Sequence, residues 1–304
     1  MKFTVLSAAA LLILAACQTP VTQSSTDSKL REQIAEIAAT IDGQVGVSIR
    51  NLDTRDTVTF NDTIHYVMHS VFKFPIAMAI LHQVDQGKLQ LEQKIYIDKK
   101  WMVPGTHSPL RDSFPAGNMD VPLSKLIGLM VSQSDNIACD VLIDLAGGEA
   151  VIDEYIHSLG VKDIAIVASE AKMASSWDVQ FSNWSTPSAM IELLEILNKG
   201  TALSKTTNAF LWKVMTETTT GPNRLKGQLP KDVVVAHKTG TSGSKDGVQV
   251  ATNDVGIIFL PNGQKLAIAV FVFMSKADEA AREGVIAKIA KAAYDDAVDA
   301  GAKK

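Results

Sequence analysis

Residues 254–274, DVGIIFLPNGQKLAIAVFVFM, decide the fold: two β-rich runs, Asp254 to Leu260 and Lys265 to Met274, are joined by Pro261-Asn262-Gly263. Proline and an Asn-Gly pair between two apolar, β-branched runs form a hairpin signal, because glycine tolerates the positive φ of a tight reversal. Ala277 to Val298 follows as a long Ala-rich helix. At the other end of the chain, Lys29 to Ile41 repeats apolar residues at helical spacing, with Asp27 or Ser28 as cap. Val45 to Arg50 then alternates as a strand, with Val58 to Phe60 as a short partner. Strands therefore come from both chain ends. Between them, residues from about 70 to 229 are dominated by helical periods such as Leu123 to Met130, Asn136 to Leu145 and Ser188 to Leu197. The pattern predicts an α/β (α+β) fold. An antiparallel sheet with flanking helices comes from about 29–69 and 230–304, and a mostly helical part from about 70–229.

The chain has 304 residues, 46% hydrophobic and 20% charged, with 29 Lys+Arg against 33 Asp+Glu. So apolar a chain with a net charge of only -4 buries enough surface to offset its ordering entropy. No clustered run of Lys and Arg offers the electrostatic footprint that nucleic acid demands, so that partner class is excluded.

Residues 1–16 read as a signal peptide: Lys2 supplies the positive start, Phe3 to Leu14 the apolar run, and Ala15-Ala16 the small residues before Cys17. Leu14-Ala15-Ala16-Cys17 also resembles the lipobox of bacterial lipoproteins, which implies lipidation at Cys17 and a periplasmic, membrane-anchored protein. Ordinary cleavage nearby would export the chain too, as a released protein. Polar residues 17–28, QTPVTQSSTDS after the cysteine, are expected to form a tether. With Cys17 lipidated, Cys139 has no disulfide partner within the chain and reads as a small buried hydrophobe. A monomer is the default expectation.

The chain has no G-x-S-x-G elbow, G-x-G-x-x-G, P-loop or H-E-x-x-H. His65 and His69 are the only closely spaced histidines, and no glutamate of a zinc hydrolase lies between them, so no metal site is expected. S-x-x-K occurs three times, at Ser70-Lys73, Ser169-Lys172 and Ser242-Lys245. Context separates them. Ser70 opens the apolar run Val71 to Val84, with Gly87 as a C-cap, and residues three apart at a helix start face the same way. Lys73 can then reach the Ser70 hydroxyl, a poor nucleophile until a base takes its proton.

Ser134-Asp135-Asn136 and Lys238-Thr239-Gly240 follow in order, once each. Together with Ser70-Val-Phe-Lys73 they resemble the three signature elements of the penicillin-recognising serine enzymes, class A β-lactamases and penicillin-binding proteins. Glu170, 34 residues after Asn136 and 68 before Lys238, has the spacing of the class A general-base glutamate on the Ω-loop, which the superfamily's peptidases lack. The stretches around Cys139, Glu170-Ala-Lys-Met173, Gln180 to Trp184 and Thr218 to Arg224 look most like the PER/VEB-type extended-spectrum subgroup. The resemblance implies a serine β-lactamase, a serine hydrolase that opens the β-lactam amide of cephalosporins and penicillins through a Ser70 acyl-enzyme and gives antibiotic resistance. It implies that Lys73 activates Ser70, alone or with Glu170 through a water, and that Ser134 relays a proton to the lactam nitrogen. Asn136 would bind the substrate's side-chain amide. Lys238, Thr239, Gly240 and Thr241 would line a strand meeting the substrate carboxylate, with Arg224 as an extra cation and the N–H groups of Ser70 and Thr241 as oxyanion donors. Glu170 would position the deacylating water, and no cofactor is needed.

Two positions depart from the commonest class A pattern. Ala174 stands where an asparagine usually shares the deacylating water, and Ala168 where an arginine usually closes the Ω-loop. The loop is therefore expected to be held by packing of Trp177, Phe181 and Trp184. Two other functions remain open, a D,D-peptidase using the same serine and lysine, and a covalent β-lactam sensor.

Overall fold

The computed structural model describes residues 25–302, so the signal peptide and Cys17 lie outside the described residues. The chain runs α1 (Ser25–Ala38), β1 (Gln44–Asn51), β2 (Thr57–Phe60), β3 (Tyr66–Val67), α2 (Lys73–Asp85), β4 (Lys94–Ile97), α3 (Pro109–Ser113), β5 (Met119–Pro122) and α4 (Leu123–Ser132). It continues through α5 (Asn136–Ala146), α6 (Glu149–Ser158), β6 (Ile164–Ala165), α7 (Glu170–Ser175), β7 (Trp184–Ser185), α8 (Pro187–Lys199) and α9 (Lys205–Thr216). Strands β8 (Val235–Thr241), β9 (Ser244–Lys245), β10 (Val248–Phe259) and β11 (Lys265–Ser275) and helix α10 (Glu279–Ala302) complete it.

The expected hairpin is the centre of the sheet. Its order is β2-β1-β11-β10-β8, antiparallel throughout, with β9 also on β10. Gly263 turns the hairpin at φ 85°, and Gly263 N–H donates to Leu260 O at 3.0 Å. Strand β10 starts at Val248, six residues earlier than its apolar run suggested. Thr252 and Asn253 look like loop residues in sequence, yet both are buried because β8 covers their edge. Helix α1 likewise begins at Ser25, so it takes in the last residues assigned to the tether. Polar residues suit a first turn, whose N–H groups have no partner inside the helix.

One face of the sheet packs on α1 and α10 through Leu30, Ile34, Ile268, Val270, Ile286 and Ile289. The other packs on the helical part, whose axis is α2, with every residue from Lys73 to Leu81 buried. The expected helix start at Ser70 resolves into a 3-10 turn over His69–Phe72 leading into α2. Neither element has a side-chain cap bond at its start, so the Ser70 hydroxyl is not spent on capping. The helix's C-cap is Gln86 rather than the expected Gly87, which follows it in the left-handed conformation at φ 71°.

The nucleophile turn is fixed to the sheet from below. Asn253 Nδ2 donates to Val67 O at 2.9 Å and Met68 O at 3.2 Å, and the fully buried Tyr66 ring lies over β1 where Gly46 leaves room. A Cβ on Gly46 would sit 2.3 Å from that ring. Gly46→Ala is therefore expected to destabilise the fold by about 1–3 kcal/mol through overpacking, measured by urea denaturation.

Candidate active site

Ser70, Lys73, Ser134, Asn136, Glu170 and Lys238 converge at the junction of the two parts. The 3-10 turn stacks Lys73 over Ser70, so Lys73 Nζ donates to Ser70 Oγ at 2.8 Å. The same ammonium contacts Ser134 O at 3.1 Å, Asn136 Oδ1 at 2.5 Å and Glu170 Oε1 at 2.6 Å. Ser70 Oγ also lies 3.4 Å from Glu170 Oε1, to which it donates. Lys238 Nζ donates to Ser134 Oγ at 3.0 Å and to Thr239 O at 2.8 Å. Burial pushes the Lys238 ammonium well below the usual lysine range, and the Lys73 charge adds to this.

Backbone geometry explains how these groups meet. His69 at φ 44° and Ser134 at φ 60° occupy left-handed conformations uncommon for non-glycine residues, one on each side of the cleft. Asp135, fully buried, caps α5 through Ala138 N–H and accepts from Ser108 Oγ and Leu110 N–H, which ties the cleft's outer loop to α5. Asn136 Nδ2 donates to Thr106 Oγ1 at 2.8 Å, so its carbonyl faces Lys73. Gly240 lets β8 approach the nucleophile turn, since a Cβ there would sit 2.3 Å from Met68 O.

The cleft has two lobes that share Ser70, His107, Asn136 and Thr241. One, of about 380 Å³, reaches Ser134, Thr220, Arg224 and Thr239. The other, of about 460 Å³, reaches His69, Glu170, Ala174, Trp177 and Gln180. Arg224 is buried rather than solvated. Its Nε pairs with Glu283 Oε1 at 2.9 Å, Nη1 donates to Gly240 O and Asn253 O, and Nη2 donates to Thr241 Oγ1 at 2.7 Å. Thr220 Oγ1 and Thr239 Oγ1 lie 2.5 Å apart.

The other S-x-x-K pairs have structural roles. Ser169 caps α7 through Lys172 N–H, and Lys245 lies over the Trp177 ring. His65 stacks on Trp184 while His69 bonds Gln180, so the two histidines point to different partners. Cys139 is fully buried and forms no disulfide among the described residues, and burial pushes its thiol up.

Trp177, Phe181 and Trp184, expected to hold the Glu170 loop, are half-buried and pack on Lys245, Phe273 and His65, and hydrogen bonds that the sequence did not show hold the loop as well. Asn183, fully buried, accepts from Val167 and Ala168 N–H and donates to Ala168 O. Asp140 accepts from Glu170 N–H at 2.8 Å and Ala171 N–H at 2.9 Å, and Glu149 accepts from Ser169 N–H. Sequence reasoning missed Asp140, Asn183 and Glu149. Only Asp140 had a signal, since it lies four residues after Asn136 on the same helix face.

Residues 29–297 match the model of the β-lactamase enzyme family. The chain is 44% identical over 283 residues to β-lactamase VEB-1 of Pseudomonas aeruginosa, covering 92% of this chain and 94% of that one. It is likewise 44% identical over 271 residues to the extended-spectrum β-lactamase PER-1 of the same organism, covering 89% and 88%. Among solved structures, a β-lactamase from Chitinophaga pinensis superposes with a TM-score of 0.87 at 52% identity, covering 88% of this chain and 99% of that one. The TLA-1 extended-spectrum β-lactamase gives 0.89 at 41% identity, covering 90% and 100%.

Burial, and next the charge of Glu170, push the Asp140 carboxyl up from 3.8 to about 6. A carboxyl raised in this way holds its proton more tightly in the folded state, so the stability this adds is present below about pH 4 and lost as pH rises to about 6. Measured by urea denaturation against Asp140→Asn, the parent should lose up to about 3 kcal/mol of relative stability across that window. A flat difference would mean that Asp140 is ionised throughout.

Proposed function

The chain belongs to the β-lactamase enzyme family and hydrolyses β-lactams, which gives antibiotic resistance, and on that premise we propose the role of each residue in its cleft and the place where the enzyme works. Ser70 attacks the β-lactam carbonyl. The proton leaves to Glu170, directly or through a water, or to Lys73 once Lys73 has passed one of its own protons to Glu170 Oε1, 2.6 Å away, and both groups lie within reach of the hydroxyl. The N–H groups of Ser70 and Thr241 hold the oxyanion. As the amide C–N bond breaks, Ser134 passes its proton to the lactam nitrogen, and the proton that left Ser70 is returned to Ser134 by way of Lys73, so that Glu170 is again a carboxylate and Lys238, hydrogen-bonded to Ser134, stays an ammonium. Lys238, Thr239, Gly240, Thr241 and Arg224 form the wall that receives the substrate carboxylate, with two cations beside hydroxyls.

The observation that carries this reading is the reach of one carboxylate oxygen, Glu170 Oε1, to both Lys73 Nζ and Ser70 Oγ. A group so placed can take a proton from a water beside the acyl ester as that water attacks the ester carbonyl, and can return the proton to Ser70 Oγ as the C–O bond breaks. That step distinguishes a hydrolase from a D,D-peptidase target or a sensor that stays acylated. Ala174 lines the cleft's second lobe in place of the larger asparagine usual there, which supports turnover of bulky oxyimino-cephalosporins as well as penicillins.

The leader Met1–Ala16 would be removed and Cys17 lipidated, leaving a monomer tethered to a membrane and facing the periplasm. The support is the residue pattern before Cys17. Cys17→Ala should move the protein from the membrane to the soluble periplasmic fraction and abolish metabolic labelling with an alkyne fatty acid. Unchanged fractionation would rule out the anchor.

Replacing Glu170 by Gln should slow deacylation about 10²–10⁴-fold while leaving acylation at least partly intact. Intact mass after mixing with nitrocefin would then show a persistent adduct on Ser70. Unchanged steady-state turnover would remove Glu170 from the mechanism.

A further inference from the structure

The lobe of the cleft that holds Thr239 and Thr241 is also lined by Arg224, Glu279 and Glu283. Two of these charges belong to each other. Arg224 Nε pairs with Glu283 Oε1 at 2.9 Å, Asn223 Nδ2 donates to Glu283 Oε2 at 3.2 Å, and Arg224 and Glu283 are both buried. Glu279 lies one turn earlier, at the first position of α10 and on the same helix face, where it is exposed. Among the described residues it has no hydrogen-bond or ion-pair partner.

The neighbouring cations are committed elsewhere. Arg282, three residues on, donates to Thr252 Oγ1 at 2.9 Å and to Ala277 O, and Lys238 is turned to Ser134 and Thr239. Thr220 to Asn223, which complete this lobe, are uncharged. The lobe is therefore polarised, with cations beside the hydroxyls of β8 and a free carboxylate at the solvent side. In a cephalosporin the ring carboxylate is on C4, and C3 is the next ring atom. A substrate whose carboxylate meets the β8 wall thus carries its C3 substituent into this lobe. Its acyl side chain, on C7 at the far end of the fused rings, enters the lobe of Ala174 and Trp177.

We propose that Glu279 is a specificity-determining residue for cephalosporins: it favours substrates with a cationic C3 substituent, a quaternary ammonium or a pyridinium, over those with an anionic one. This rests on the assignment of the β8 wall as the partner of the substrate carboxylate. Glu283 cannot serve in this way, because Arg224 already takes up its charge. Glu279 is exposed, so it acts by charge through solvent, with an effect that is modest and screened by salt. It lies apart from Ser70, Lys73 and Glu170, so it selects in the capture of substrate and leaves the proton transfers alone.

The experiment measures kcat/KM for cefepime, cefotaxime and ceftriaxone, which share one acyl side chain and bear a cationic, a neutral and an anionic C3 substituent. In Glu279→Gln at low ionic strength, the ratio of cefepime to cefotaxime should fall about threefold and that of ceftriaxone to cefotaxime should rise about threefold. Glu279→Lys should move both ratios further in the same directions. In about 1 M NaCl, where the screening length is about 3 Å, parent and variants should converge. Unchanged ratios in Glu279→Gln would overturn the proposal, as would an equal change on all three substrates. A split that survives salt would overturn it too, since it would report shape and not charge. Thr239→Val tests the wall separately: KM should rise about tenfold for all three alike, through loss of a hydrogen bond to a charged group. Unchanged KM values there would refute the carboxylate assignment and the placement of C3 with it, whereas a rise there without a split in Glu279→Gln would refute the role of Glu279 alone.

Discussion

The cleft depends on the burial of one ammonium group. Lys73 has no exposure, and a charge removed from water is tolerable only where oxygens replace the water. Four do so, and they come from four places in the chain: the turn of Ser70, the backbone of Ser134, the side chain of Asn136 on α5, and Glu170 at the start of α7. Satisfying Lys73 therefore brings nucleophile, proton relay and general base to one point. The left-handed backbone at Ser134 belongs to the same requirement, because that conformation accompanies a carbonyl turned toward Lys73 and a hydroxyl turned toward Lys238.

The second lysine extends the arrangement to the sheet. Lys238 reaches Ser134 from β8, and Gly240, two residues on, lets the strand lie close against the nucleophile turn. Asn253 holds that turn from β10 while its own carbonyl accepts from Arg224. The hairpin that organises the fold thus also sets the distance between the nucleophile and the carboxylate-binding wall.

The Glu170 loop solves a different problem, since it must hold a carboxylate near Lys73 without the usual closing arginine. Here one buried amide and two half-buried carboxylates do this. Asn183 binds the loop's base on both its donor and acceptor sides, and Asp140 binds the N–H groups of Glu170 and Ala171. Two carboxylates so close to each other repel, and the raised Asp140 pKa records that repulsion together with burial.

The strands at both chain ends, the helical middle and the ordered set Ser70, Lys73, Ser134, Asn136, Glu170 and Lys238 were legible in the amino-acid sequence. Local periodicity writes out elements, and reactive groups must occur at fixed spacing on them. Its own residues also marked Ala168 and Ala174 as departures. What replaced the missing arginine was not legible, because Asn183, Asp140 and Glu149 act on partners 15 to 31 residues away through bonds that no period encodes. The early start of β10 and the burial of Arg224 were hidden for the same reason, since each depends on what a distant strand or helix covers. Sequence by itself determined which groups the chain brings to the reaction. Only the tertiary structure decided which of them lose water and which charges face one another, because desolvation and Coulomb energy depend on distance in space and not on position along the chain.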